Sequence, residues 1–258
     1  MISRWVAVIS LTVIAAASPT RWAAAQQPAT DLVARANREF DARQLQEALS
    51  HYQAALAIEP RNYDALWRGA RANVELGEYD PSADHRTALY KTAEQQARLA
   101  VQVNPGDAEG HFTLAMALGR TALSLGVRDR IKYAGEVREQ ALACLKINPQ
   151  HPGCLHVMGV WNDEVMRLSG FTRMIAKNFL GGGVFSQASW DAAQRYLIAA
   201  VTNEPRRIVH RLDLGRVYVD LDKKDKARTQ FEAVINGELI DYNDQHYKAD
   251  AQKALQKL

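Results

Sequence analysis

One spacing pattern occurs five times in this chain and constrains its fold more than any other feature. Ala48, Tyr52 and Ala55 lie on one helical stripe and Pro60 follows them. The frame returns as Ala93, Ala97, Ala100 and Pro105, as Val137, Ala141, Cys144 and Pro149, and as Ala193, Leu197, Ala200 and Pro205. A fifth copy, Ala227, Phe231 and Val234, lacks the proline. Steps of three and four residues return to the same face of a helix, so each triplet makes a stripe against which a neighbouring helix packs. Proline then ends the helix, because it has no N–H to donate and restricts the residue before it. After each proline a second helical pattern begins, near Tyr63, Ala108, Pro152 and Ile208, with faces such as Leu66/Ala70, Leu114/Ala115, Leu155/Met158/Gly159 and Leu212/Leu214/Gly215. A further one, carrying Leu32, Ala36 and Phe40, precedes the first copy. The pattern predicts an all-α chain of helical hairpins in series.

These hairpins resemble the tetratricopeptide repeat, a helix–turn–helix unit of about 34 residues. The resemblance implies a right-handed superhelical solenoid over residues 29–258, with units near 29–62, 63–107, 108–151, 152–207 and 208–240. The prolines are 45, 44 and 56 residues apart, so three units are elongated. The spacing places the excess of the second unit between Gly77 and Ala93, around the loop Tyr79–Ser82. It lengthens both helices of the third unit and inserts Leu168–Ser189 in the fourth. Residues 242–258 put Tyr247, Ala251, Ala254, Leu255 and Leu258 on one stripe with lysines elsewhere, as a C-terminal capping helix requires.

A narrower resemblance rests on the elongated third unit, the run Leu155–Val165 containing Val160-Trp161-Asn162-Asp163-Glu164, and the inserted Phe179-Leu180-Gly181-Gly182 followed by Ala188-Ser189-Trp190-Asp191. Over roughly residues 89–258 the chain resembles the regulator of microtubule dynamics family. That resemblance implies an all-helical repeat domain and, for eukaryotic members, a microtubule-associated binding module.

The N-terminus reads as an export signal over residues 1–25. Arg4 supplies a basic start, an apolar run extends from Trp5 to Ala17, Pro19 breaks it, and Ala23-Ala24-Ala25 offers small residues for cleavage before Gln26. A run of this length is short for a bilayer span. The expected location is the periplasm or the exterior. From Gln26 onward 30 Lys and Arg face 29 Asp and Glu, so no nucleic-acid footprint is present.

No nucleophile, acid–base pair, phosphate loop or cofactor motif emerges, and the chain is expected not to be an enzyme. His151 and His156 are five apart, unlike the three- or four-residue spacing of helical metal ligands, so no metal is expected. Cys144 and Cys154 flank Pro149 at equal distances, and an antiparallel hairpin sets them near one another, either as a disulfide or as two small buried residues.

The first helix of each unit builds the concave wall of such a solenoid. It projects Trp67, Arg68, Arg71, Phe112, Met116, Arg120, His156, Glu164 and Arg216 inward. Arginines reach carboxylates in bidentate fashion and the aromatics and methionine supply adaptable apolar area. This combination suits a protein or peptide partner bearing acidic groups, unless the arginines pair with Glu75, Glu164 and Asp213 along the wall. Phe171, Met174, Ile175 and Phe179 follow helical spacing in the fourth-unit insertion, as a helix folded over the rim or as a lid over an apolar or lipid ligand. The sequence therefore predicts a non-catalytic interaction scaffold, with an apolar-ligand carrier and a microtubule-binding module as alternatives.

Overall fold

The computed structural model describes residues 28–169 and 185–258. The segment read as an export signal, residues 1–25, and the candidate lid residues Phe171, Met174, Ile175 and Phe179 lie outside the described residues. Among the described residues there are eleven α-helices, one short 3-10 turn (Phe185–Gln187) and no strand. The helices are α1 (Ala29–Asp41), α2 (Leu45–Ile58), α3 (Tyr63–Glu78), α4 (Ala83–Val103), α5 (Ala108–Ser124), α6 (Val127–Ile147), α7 (Pro152–Arg167), α8 (Trp190–Asn203), α9 (Ile208–Asp220), α10 (Lys224–Asn236) and α11 (Asp244–Leu255). They pack as five antiparallel hairpins, α1/α2 through α9/α10, and α11 closes the stack against α9 and α10. The odd-numbered helices α3, α5, α7 and α9 also touch in succession and form the inner wall. This is a tetratricopeptide-repeat solenoid.

The repeated triplets are the packing seam. Fourteen of their fifteen side chains are wholly buried and Val137 is 6 % exposed. Small residues there allow close approach, and on the facing helices some positions leave no room for a side chain at all. A Cβ built on Gly159 of α7 would stand 2.5 Å from Cγ of Leu197 on α8, and one on Gly215 of α9 would stand 2.5 Å from Cε1 of Phe231 on α10. The two helices of each of these hairpins are thus locked by a large residue seated on a glycine.

Helix starts follow from the turn chemistry. Two residues after each turn proline lies a cap: Asn62 accepts from the Ala65 N–H at 3.1 Å, Asp107 from Glu109 at 2.8 Å, and His151 from Cys154 at 3.2 Å. Each satisfies one of the N–H groups that a helix leaves orphaned. The fourth such position is Arg207, which makes no cap bond. Its side chain serves elsewhere.

The excess of the second unit, between Gly77 and Ala93, is mostly helical. Only four residues, Tyr79–Ser82, form its loop, and the surplus is helix: α4 runs for 21 residues from a Ser82 cap that accepts from His85. The third unit lengthens through α5 and α6, of 17 and 21 residues, as the spacing suggested. Between α6 and α7, Cys144 and Cys154 form a disulfide with their Cα atoms 6.4 Å apart. It staples the four-residue turn between the third and fourth hairpins and leaves no free cysteine among the described residues.

Two outcomes follow from this packing. Gly159→Ala is expected to destabilise the protein by about 1–3 kcal/mol, read as a lower melting temperature, because Leu197 has no free space to retreat into. Intact-mass measurement after alkylation without reductant should show no labelled thiol, and Cys144→Ser with Cys154→Ser should cost about 2–3 kcal/mol in denaturant unfolding.

Candidate functional site: a two-faced chamber on the inner wall

The inner wall of this solenoid is partly covered. The C-terminal segment folds back across it and bonds to α3, more than 160 residues earlier. Asn243 Nδ2 donates to the Glu75 carbonyl at 2.8 Å and the Tyr247 hydroxyl donates to Glu78 at 2.7 Å. The Tyr79 hydroxyl donates to Asp250 at 3.0 Å, while the His246 ring stacks on Tyr79 with centroids 4.3 Å apart. Farther out, Arg43 donates to the Leu239 carbonyl at 3.1 Å and Gln46 to the Tyr242 hydroxyl at 3.3 Å. The cap helix therefore covers the end of the stack and also ties the last unit to the first two.

What remains inside is a chamber of about 170 Å³ lined from α3, α5, α6, α7, α9 and the returning segment. Its lining has two faces. One is apolar, with Phe112 and Met116 from α5, Ile131 and Ala134 from α6, and Val157, Val160 and Trp161 from α7. Trp161 is held there by its indole N–H, which donates to the Ala134 carbonyl at 2.7 Å. The other face is charged, with Glu75, Glu78, Arg120, His156, Arg207, His210, Asp213 and Asp241.

Nearly every cation of that face is committed. Arg120 pairs with Glu78 at 2.6 Å, and Arg207 pairs with Asp241 at 3.0 Å and reaches Glu75 at 3.8 Å. Burial works against the charge on Arg207, but the carboxylates of Asp241 and Glu75 outweigh it and hold the guanidinium protonated. Arg71 pairs with Glu75 at 2.8 Å, Arg216 with Asp213 at 2.8 Å and Asp250 at 3.1 Å, and Arg130 with Glu164 at 3.0 Å. Burial would raise Asp213, yet His156 and Arg216 together hold it well below the usual carboxylate range. His210 is pushed down to about 4 by burial, against the pull of Glu204. At neutral pH it is an uncharged ring.

Of the residues that the sequence placed in a groove, Phe112, Met116, Arg120, His156 and Glu164 line the chamber together. Trp67, Arg68, Arg71 and Arg216 do not. Trp67 is buried in the seam with α4, its indole N–H bonded to Asp64 at 3.2 Å, and the Arg68 guanidinium lies 4.2 Å from its ring centroid. Arg71 and Arg216 instead pair with lining carboxylates, Arg71 with Glu75 and Asp241 and Arg216 with Asp213. Sequence reasoning did not reach Arg207, His210, Asn243 and Tyr247, which complete the site. One signal was available: Arg207 occupies the position where three other units carry a capping acceptor. Cys144, His151 and Cys154 also bring potential ligand atoms within 4.8 Å of one another. Their sulfurs are joined to each other, however, and a disulfide does not offer the thiolates that a metal takes.

Fold and site together define a helical-repeat protein with a half-open chamber on its inner wall. Comparison with known proteins then places it: a family description, Regulator of microtubule dynamics protein 1-3, matches residues 32–258. The chain belongs to that family. It is similar to regulator of microtubule dynamics protein 1 of Bos taurus, with 25 % identity over 171 residues, covering 66 % of this chain and 53 % of that protein. Protein 3 of the same organism is 22 % identical over 190 residues, covering 74 % of this chain and 40 % of that one. The chain thus spans about half the length of the curated relatives it matches. Among solved structures, a thermophilic tetratricopeptide-repeat protein of Thermus thermophilus superposes with a TM-score of 0.63 at 18 % identity, covering 87 % of this chain and 99 % of that one. This likeness concerns the fold.

Asp163, on α7, is held only loosely. It is 7 % exposed, its Oδ1 has no hydrogen-bond partner among the described residues, and Arg167 stands 3.8 Å away. Burial pushes its carboxyl up to about 7, with Arg167 opposing. An unfolded aspartate titrates near 3.9, so the native state binds more protons between about 4 and about 7 and stability falls as pH rises through that window. Asp163→Asn should therefore stabilise the protein at pH 8, on the order of 1–3 kcal/mol. The gain over wild type should vanish by pH 4 in melts recorded across that range.

Proposed function

We propose that this protein is a non-catalytic binding scaffold whose ligand seats an apolar group in the concave chamber while a polar group meets the charged face. The observation that carries this reading is the two-faced lining. Apolar side chains of α5, α6 and α7 share the lining with a network of paired charges drawn mainly from α3, α9 and the returning segment. A cavity of about 150 Å³ accommodates a benzene-sized molecule, so a chamber of this size suits one ring or a short alkyl chain. A free amphiphile meets that description directly. Its head group should be cationic or neutral, since the lining holds Glu75, Glu78, Glu164, Asp213 and Asp241 against Arg120, Arg130 and Arg207.

A protein partner, the common occupant of this fold, is compatible in one form: an apolar side chain projected into the chamber. A peptide running along the wall would have to displace the segment bonded to Glu75 and Glu78. An acidic one would also have to take Arg71, Arg120 and Arg216 from their carboxylates. The disulfide supports the accompanying proposal that the protein works in an oxidising compartment after export.

The test is titration with octylamine, octanol and octanoate, followed by calorimetry. Octylamine and octanol should bind more tightly than octanoate, and Val160→Arg should weaken each at least tenfold while leaving the helical circular dichroism unchanged. If all three bind equally to wild type and variant, or none binds, the chamber is not the ligand site.

A further inference from the structure

Two histidines from different units meet on the charged face of the chamber. His156 of α7 and His210 of α9 place their Nδ1 atoms 3.0 Å apart, with the ring planes tilted by 46°. Each ring has its other nitrogen occupied by a carboxylate. His156 Nε2 lies 3.2 Å from Asp213, and His210 Nε2 lies 3.1 Å from Glu204. An ionised carboxylate only accepts hydrogen bonds, so in each neutral ring the Nε2 must carry the proton and the Nδ1 must present a lone pair. Where both rings are neutral, two lone pairs face each other across 3.0 Å; one further proton between the Nδ1 atoms would make the contact a hydrogen bond. Among the described residues the neighbouring cation, Arg207, does not relieve that opposition, because it is engaged with Asp241 and Glu75.

We propose that His156 and His210 form a binding site for a divalent transition metal of the kind that imidazole favours, with zinc as the representative. Zinc–nitrogen bonds are about 2.0–2.1 Å, so two imidazole nitrogens on neighbouring tetrahedral corners stand about 3.3 Å apart. The observed separation needs only a small adjustment. Metal-binding histidines almost always donate their second ring N–H to a carboxylate or carbonyl, which fixes the tautomer and orients the ring. Both rings here have that arrangement, supplied by Asp213 within α9 and by Glu204 in the turn before it. Both histidines line the chamber, so the remaining coordination positions open into it, toward water or a bound ligand's polar group. The acid-rich lining favours a cation at that place. The proposal is independent of the amphiphile reading, since water can fill the remaining coordination positions without any ligand in the chamber.

The experiment uses untagged, disulfide-intact full chain, stripped with chelator and titrated with Zn²⁺ by calorimetry and with Co²⁺ by visible absorption. One equivalent should bind, with the ligand-field bands of nitrogen-coordinated Co²⁺, and Zn²⁺ should raise the melting temperature. His156→Gln and His210→Gln should each weaken binding at least tenfold. His210 is buried, so each variant is checked by its own melt. Asp213→Asn keeps both rings and should weaken binding by about 10–100-fold. Absence of stoichiometric binding, or affinity unchanged in His156→Gln, overturns the site. So does a third proton shared between the two Nδ1 atoms at neutral pH, seen by ¹⁵N resonance and not displaced by Zn²⁺, since a proton bridge accounts for the same separation.

Discussion

Arg207 is the point on which the closed form of this solenoid depends. It sits in the turn before α9, 16 % exposed, and its guanidinium faces Asp241 of the returning segment, Glu75 of α3 and Glu204 of its own turn. Three stretches of chain far apart in sequence therefore share one cation. Burying such a cluster is not in itself a large source of stability, because desolvation cancels most of the Coulombic attraction. Its effect is on which structure forms. Without it Glu75 and Asp241 would be left to Arg71 alone, which stands 2.8 Å from the first and 3.9 Å from the second. Removing one member of a buried pair commonly costs about 3–5 kcal/mol, which is the scale on which this cluster favours the closed arrangement over an open one.

Closure changes what the repeat fold can do. An open solenoid presents a long concave surface, and a partner that binds it must order its own chain along that surface. Here the segment from Leu239 to Tyr247 already occupies part of the wall and satisfies its backbone and carboxylate acceptors. The accessible part shrinks to a chamber whose apolar side is built by the elongated third unit and the start of the fourth. The extra helical turns of α5 and α6 carry Ala122, Leu123, Ile131 and Ala134 to its lining. Elongation and closure act together: the first supplies apolar depth and the second a lid of paired charge.

How much of this was written in the sequence varies with the range of the interaction. The hairpins were fully legible, because the Ala–Tyr–Ala and Ala–Leu–Ala stripes, the turn prolines and the caps two residues beyond them are local signals that tertiary packing reinforces. The surplus of the second unit was located between Gly77 and Ala93 but not assigned to helix, although Ser82 is itself a capping residue ahead of a helical run. The local ion pairs were also legible, since Arg71/Glu75 and Arg216/Asp213 stand four and three residues apart on single helices. Arg120 with Glu78 and Arg207 with Asp241 were not. Their meeting depends on the curvature accumulated over several units, and no periodicity encodes that.

The chamber was legible in the same graded way. Phe112, Met116, His156 and Glu164 could be placed on the inner wall by counting along α5 and α7, but counting gave no reason to pair His156 with a residue 54 positions later. His210 follows Arg207 by three residues, within the first turn of α9 and therefore beside the same opening. That neighbourhood explains why the missed residues belong together: the turn after Pro205 gave up an ordinary capping side chain, and its arginine and the following histidine both point into the interior. A position that departs from the rule its counterparts obey is a local clue to a long-range contact, and Arg207 was the clue to this one.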